Sequence, residues 1–127
     1  MPTPEAMTAA VHAYVKAFDQ RDVDAVVALF AENATVEDPI GTEPKKGRGA
    51  IREFYTASMA TGAKLALQGP VRVSANYAAF AFQVQLHFDN TDMRIDVIDT
   101  FKFDDAGKVL EMRAFFGPGN THTTKTA

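Results

Sequence analysis

The sequence predicts an α+β fold: three N-terminal helices cover one face of a curved, mostly antiparallel sheet, and together they form a conical barrel around an apolar pocket. Three observations predict it. Apolar residues recur at helical spacing through the first half of the chain. From Lys64 onward they alternate with polar residues, as in half-buried strands. The helical part precedes an unbroken series of strands, which is the α+β order rather than the alternating α/β one. The length of 127 residues suits a single domain covering 1–127 with one core.

Each element has its own signal. Thr3-Pro4-Glu5 starts the first helix, with Thr3 as cap and proline at the first helical position. Met7, Val11, Tyr14, Val15 and Phe18 form its apolar stripe. Asp22 caps a shorter second helix running through Phe30, with Val26, Val27 and Phe30 on its inner side. Ala34–Glu37 is a short strand, which stops at Pro39 because the residue before a proline is pushed to extended geometry. Ile40 to Gly49 is a Gly-, Pro- and Lys-containing loop, and Ile51, Phe54, Tyr55 and Ser58 mark the third helix. Lys64–Leu67 and Val71–Ala75 are strands separated by Gly69-Pro70, and Asn76-Tyr77 is a turn. Two long strands follow. One alternates Phe80, Phe82, Val84, Leu86 and Phe88 with Ala81, Gln83, Gln85 and His87; the other runs from Met93 to Phe103. Asp104-Asp105-Ala106-Gly107 is a hairpin turn. The last strand places Leu110, Met112, Ala114 and Phe116 on one face, and the Thr-rich tail after Asn120 is expected to be loose.

Composition excludes several function classes. A net charge of −3 leaves no basic footprint for nucleic acid. The absence of cysteine excludes disulfides, thiol catalysis and zinc–thiolate sites. No apolar run is long enough to span a membrane, and MPTPEAMTAA lacks the basic-then-apolar pattern of a signal peptide, so a soluble cytoplasmic protein is expected. His12, His87 and His122 are scattered without metal-ligand spacing, and no metal site is predicted. Gly47-Arg48-Gly49 lacks the phosphate-loop pattern, no Gly-x-Ser-x-Gly elbow occurs, and Lys45-Lys46 reads as a solvated loop.

Three polar residues stand where the periodicity calls for apolar ones. Asp99 shares a strand face with Val97 and Phe101. A carboxyl there must be paired, hydrogen-bonded or protonated, and Arg113, Arg94 and the backbone are candidate partners. Tyr14 lies on the buried stripe of the first helix, where a core tyrosine with a satisfied hydroxyl is the plain alternative. Asp38 is in phase with Val36, although Asp before Pro is also a common turn former. If all three face one interior, a division of labour follows. Asp38, near the mouth and partly hydrated, is a base. Asp99, deeper and protonated, joins Tyr14 in donating hydrogen bonds to one oxygen. That equipment suits proton abstraction next to a carbonyl, with the enolate held by two donors. Phe18, Phe54, Phe82, Val84, Leu86, Phe101, Met112 and Phe116 are the candidate substrate-binding wall, though such a stripe also serves as plain core. Ile98, Val109 and Phe115 are out of phase with the inner face and suggest a covered outer surface.

With these residues in place, the sequence resembles the steroid delta-isomerases, members of the cone-shaped superfamily of nuclear transport factor 2 and scytalone dehydratase. The resemblance covers nearly the whole chain. It is carried by Ala34-Thr35-Val36-Glu37-Asp38-Pro39, Ile51-Arg52-Glu53-Phe54-Tyr55, Ala79-Phe80-Ala81-Phe82 and Ile98-Asp99-Thr100-Phe101. It implies a cofactor-free isomerase of 3-oxo steroids. The family's base falls on Asp38, its oxyanion-hole donors on Tyr14 and Asp99, and a supporting tyrosine on Tyr55. This family is itself the known case of a tyrosine and a protonated aspartate sharing an oxyanion hole. A homodimer is implied, with no nucleic-acid or membrane partner. Phe30 and Phe116 depart from members that carry tyrosine and tryptophan at those places. Three alternatives stand beside this reading: another cone-fold enzyme, such as a polyketide cyclase or dehydratase; a non-catalytic carrier of hydrophobic molecules; and an interaction domain like the transport factor, against which the three inward polar groups argue.

Overall fold

The computed structural model describes residues 1–125. Helix α1 spans Pro4–Asp19, and the Thr3 hydroxyl accepts the Ala6 N–H at 3.1 Å, as the capping signal predicts. Its stripe of Met7, Val11, Tyr14, Ala17 and Phe18 is buried. Helix α2 covers only Val23–Val27, capped by the Asp22 carboxylate, which accepts the Ala25 N–H at 3.0 Å. It does not continue to Phe30, because the sheet captures that residue: strand β1 spans Phe30–Glu37 and Phe30 pairs with Val109. The Phe30 carbonyl accepts from Arg48 Nε and Nη2 at 3.0 and 2.7 Å. The expected loop 40–49 is likewise shorter. Strand β2, Lys45–Lys46, pairs antiparallel with Thr35 and Val36, and helix α3 begins at Gly47 and runs to Ala60, burying Ile51, Tyr55 and Met59.

The remaining strands are β3 Lys64–Leu67, β4 Arg72–Ser74, β5 Tyr77–Phe88, β6 Thr91–Phe103, β7 Val109–Phe115 and β8 Thr121–Lys125. The sheet order is β2-β1-β7-β6-β5-β3, with β4 added on β5 and β8 on β6. Only β1 and β7 pair in parallel; the other pairings among the described residues are antiparallel. The turn expected at Asn76-Tyr77 falls one residue earlier, on Ala75-Asn76, and Tyr77 already belongs to β5. Asp89 and Asn90, with φ of 51° and 56°, form the two-residue connection between β5 and β6.

Two expectations about the edges change. The tail is not loose through Lys125: Thr121–Lys125 pairs with Thr91–Ile95 of β6, so main-chain bonds organise a segment whose side chains offer little apolar surface. Its last two residues lie outside the described residues. Val109 is fully buried, not outward, because the β6–β7 register shifts between Lys102 and Phe103 and resets the inward phase. Ile98 and Phe115, paired across β6 and β7, do face outward, at 50% and 47% exposure. No helix among the described residues is long and apolar enough to cross a membrane.

The parallel β1–β7 junction places Asp38, and Arg113 reinforces it. Its Nη1 donates to the Thr35 carbonyl at 3.2 Å and its Nη2 to the Thr35 hydroxyl at 3.0 Å, with Glu37 and Glu111 nearby at 3.8 and 3.6 Å. Arg113→Met is expected to lower unfolding free energy by about 1–3 kcal/mol, since half-buried acceptors lose their donor. Urea denaturation checks this, and an unchanged midpoint would show that the junction holds without the arginine.

Candidate active site

A cavity of about 320 Å³ opens between the sheet and α1 and α3. Its lining includes Tyr14, Asp38, Tyr55 and Asp99, which the sequence singles out, and Phe18, Phe54, Phe82, Val84, Leu86 and Phe116 from the expected wall. Phe101 and Met112 do not line it. Both are fully buried, packed one layer behind the surface. The Phe101 ring backs Tyr14 at 5.2 Å and Phe80 at 5.0 Å between centroids. The lining also holds Ser58, Thr61, Ala63, Leu65, Ile95 and Val97, which were not among the candidates. Ile95 and Val97 were findable, being in phase with Asp99 on the same strand. Leu65 enters by pairing with Val84, a register no local pattern reveals.

Asp99 is 1% exposed, the one buried polar or charged residue among the described residues. The β5 and β7 pairings put Phe80 and Ala114 on either side of it. Neither arginine named as a candidate partner pairs with it. Arg113, paired with Thr100, belongs to the other phase of the sheet and serves Thr35, while Arg94 lies 3.4 Å from Asp96. Asp99 Oδ1 has no hydrogen-bond partner. Burial, with a smaller push from Asp38, holds its carboxyl well above the usual range and so favours the protonated form.

Asp38 follows directly on β1 and is only half-buried. The chain beyond it is fixed: the Ile40 N–H donates to the Ala114 carbonyl at 2.8 Å, and the Gly41 N–H to Glu37 Oε2 at 2.8 Å. The Asp38 loop is therefore tied to the residue paired with Asp99. Burial raises the Asp38 pKa from 3.8 to about 6, against the pull of the Lys45 ammonium. Lys45 thus acts on the cavity from β2, although its sequence context reads as a solvated loop.

The Tyr14 and Tyr55 hydroxyls lie 3.0 Å apart, and either can donate to the other. Burial above all, with a smaller push from the Asp38 carboxylate, raises the Tyr14 hydroxyl well above its ordinary range, so it keeps its proton. Burial does the same for Tyr55. Edge-on contacts with Phe80 and Phe101 and a tilted one with Phe18 limit the motion of the Tyr14 ring. When a ligand oxygen accepts the Tyr14 proton, Tyr55 is free to donate to the Tyr14 oxygen. The cavity thus brings together a buried tyrosine hydroxyl, a buried carboxyl that favours its protonated form and a half-buried carboxyl that ionises at about 6. His12, His87 and His122 are not part of it, and no metal-binding cluster of His, Asp or Glu occurs among the described residues.

Both carboxyls bind their proton more tightly in the fold than in the unfolded chain. Folding therefore takes up protons above the ordinary carboxylate range, and stability falls as pH rises. For Asp38 the loss runs from 3.8 to about 6 and amounts to about 3 kcal/mol at neutral pH. For Asp99 it continues further. Asp38→Asn and Asp99→Asn should each be more stable than the parent at pH 8 and less pH-dependent. Urea unfolding at pH 5 and pH 8 measures this, and a parent whose stability rises over that interval relative to both variants would contradict the assignment.

Residues 11–112 match the SnoaL-like domain family. The steroid delta-isomerase of Nocardioides simplex is 39% identical over 117 residues, covering 91% of this chain and 94% of that protein. Among solved structures, SalBIII superposes with a TM-score of 0.91 at 28% identity, over 98% of this chain and 100% of that one. It is described as an epoxide hydrolase/cyclase-like enzyme in pyran ring formation in polyether salinomycin. With a matching family model over most of its length and a close cone-shaped relative, this chain belongs to the SnoaL-like domain family of the nuclear transport factor 2-like superfamily, among the relatives of the steroid delta-isomerases.

Proposed function

We propose that this chain is a steroid delta-isomerase, a cytoplasmic homodimer that converts delta-5-3-ketosteroids into conjugated delta-4-3-ketosteroids without a cofactor. The observation that carries the proposal is the unpartnered Oδ1 of a buried Asp99, in the same apolar cavity as the Tyr14 hydroxyl and the half-buried Asp38. An orphaned buried oxygen is costly unless a ligand supplies its partner. The identity to the Nocardioides simplex enzyme supports the same conclusion.

The steroid enters with its 3-oxo group towards Tyr14 and Asp99. Ionised Asp38 removes a proton from carbon 4, and the electrons move into a dienolate whose oxygen accepts hydrogen bonds from Tyr14 and protonated Asp99. The Asp38 carboxyl, now holding that proton, delivers it to carbon 6, which restores the carboxylate and leaves the conjugated ketone. Substrate and product are isomers, so the proton is conserved and no other reactant is consumed. Tyr55 supports Tyr14 through their shared hydrogen bond. Phe18, Phe54, Phe82, Val84, Leu86 and Phe116 supply the apolar wall that grips the rings and keeps water from the enolate. The outward pair Ile98 and Phe115 supplies the apolar surface for the second copy.

A second reading has the SalBIII likeness in its favour: a cyclase that uses the same acids on an epoxide. The two differ in what the acids must do. An isomerase needs a base that keeps its proton long enough to return it to carbon, whereas ring closure leaves the product without a new conjugated enone.

The deciding experiment follows the ultraviolet absorbance of the enone formed from a delta-5-3-ketosteroid. Asp38→Asn is expected to lower turnover by about 10²–10⁴-fold or more. Tyr14→Phe should lower it by about 10²–10³-fold, with Asp99 still donating. Because the base acts ionised, kcat/KM should rise with pH through about 6 and level off above it. Enone formation that survives intact in Asp38→Asn at pH 8 would refute the mechanism. Steroid binding without enone formation in the parent chain would favour a cyclase or a carrier.

A further inference from the structure

The cavity does not end at its mouth. A second hollow of about 460 Å³, lined by Thr61, Leu86, Phe88, Asp89, Thr91 and Met93, shares Thr61 and Leu86 with the first. The two are joined by one inner ladder of the β5–β6 pair. Going outward, it pairs Phe80 with Asp99, Phe82 with Val97, Val84 with Ile95, Leu86 with Met93 and Phe88 with Thr91. Burial decreases steadily along it, from Phe80 at 1% exposure to Phe88 at 74%. At about 3.3 Å per residue, the run from Asp99 to Met93 is roughly 20 Å long. That is longer than a rigid four-ring nucleus whose oxygen sits at Asp99.

The hydroxyls of this second hollow and of the passage into it are already committed. The Ser58 hydroxyl donates to the Phe54 carbonyl at 3.0 Å, and the Thr61 hydroxyl to the Ser58 carbonyl at 2.6 Å. The Thr91 hydroxyl turns to the Asp89 carbonyl at 3.4 Å. All three hydroxyls near the mouth point their protons at main-chain carbonyls. Apart from Asp89, which is also among the lining residues, what this hollow offers a ligand is hydrocarbon: Leu86, Met93 and the Phe88 ring.

From this continuity, and resting on the isomerase reading above, we infer that the Leu86–Phe88–Met93 ledge is a subsite for an alkyl side chain on the far ring, so that the substrate class is 3-oxo-delta-5 sterols that keep their hydrocarbon side chain. Phe88 and Met93 are then specificity-determining residues remote from the chemistry. Phe88 is 74% exposed and Met93 partly so, which leaves apolar surface for a ligand to cover.

The test compares cholest-5-en-3-one with androst-5-ene-3,17-dione in the parent and in the double variant Phe88→Ser, Met93→Ser. Binding of the two conjugated products is measured in parallel. The parent is expected to turn over the sterol with kcat/KM at least equal to that of the short diketone. Each methylene brought out of water strengthens binding by about fourfold, so loss of the ledge should lower the sterol-to-diketone ratio by about tenfold or more, in turnover and in product affinity alike. A ratio that the double variant leaves unchanged, or a parent that prefers the diketone by tenfold, overturns the subsite. Failure of both substrates to react, with product binding still favouring the sterol and sensitive to the double variant, refutes the isomerase reading and leaves the subsite standing.

Discussion

Everything in the cavity depends on a carboxyl group that has been buried without a counter-ion. Asp99 occupies the apolar face of β6 between Val97 and Phe101, and the alternation of the sheet keeps cations away from it. Arg113 is one residue from Ala114, the cross-strand partner of Asp99, yet it belongs to the opposite phase and is absorbed by Thr35, Glu37 and Glu111. An ionised, unpaired carboxylate at that position would be untenable, so the group is neutral and keeps a proton to donate. Asp38 experiences the same dry cavity more weakly, being half-buried and attracted by Lys45. One gradient of burial therefore gives two identical functional groups different proton affinities, the difference that the proposed donor and base require. The coupling also has the useful sign: ionisation of Asp38 makes it harder for Asp99 to ionise.

Holding this arrangement requires rigidity behind the wall. Tyr14 makes ring contacts with Phe18, Tyr55, Phe80 and Phe101, and Phe101 in turn packs on Phe30 and Phe103. Donors that are already aimed cost no reorganisation when charge develops on the ligand oxygen, which is the main source of their effect. The stability cost of burying Asp99 is spread over a core in which the neighbouring positions are apolar and closely packed. Phe101 and Met112 belong to that support and not to the contact surface, a distinction alternation alone does not make, because it reports a face and not a depth.

The same distinction explains how much was legible in the sequence. Helix α1, its cap and the long strands follow from local periodicity, and so does the inward phase of Tyr14, Asp38 and Asp99. What was not legible depends on pairings between distant segments. Phe30 has the spacing of a helix residue, but its pairing with Val109 makes it a strand residue. Val109 is inward because of a register shift two residues from the β6–β7 turn, and no residue type marks that shift. The tail lacks apolar side chains, yet its backbone bonds to the outer half of β6. Lys45 has the composition of a loop, and only its pairing with Val36 brings its charge to bear on Asp38.

The long β5–β6 pair also separates the tasks of the cavity along its length. Polar chemistry is confined to the deep end, where Asp99 sits between apolar neighbours and water is excluded. At the shallow end the ladder carries Leu86, Met93 and Phe88 beside Thr91, whose hydroxyl, like those of Ser58 and Thr61, donates to the main chain. Apolar substitutions there should leave the electrostatic balance at Asp99 unchanged, because the run along β6 puts the rim roughly 20 Å from it. The two-residue turn at Asp89-Asn90, with both residues at positive φ, closes this outer end. A cone built this way separates the groups that carry charge from the surface that meets the rest of a ligand.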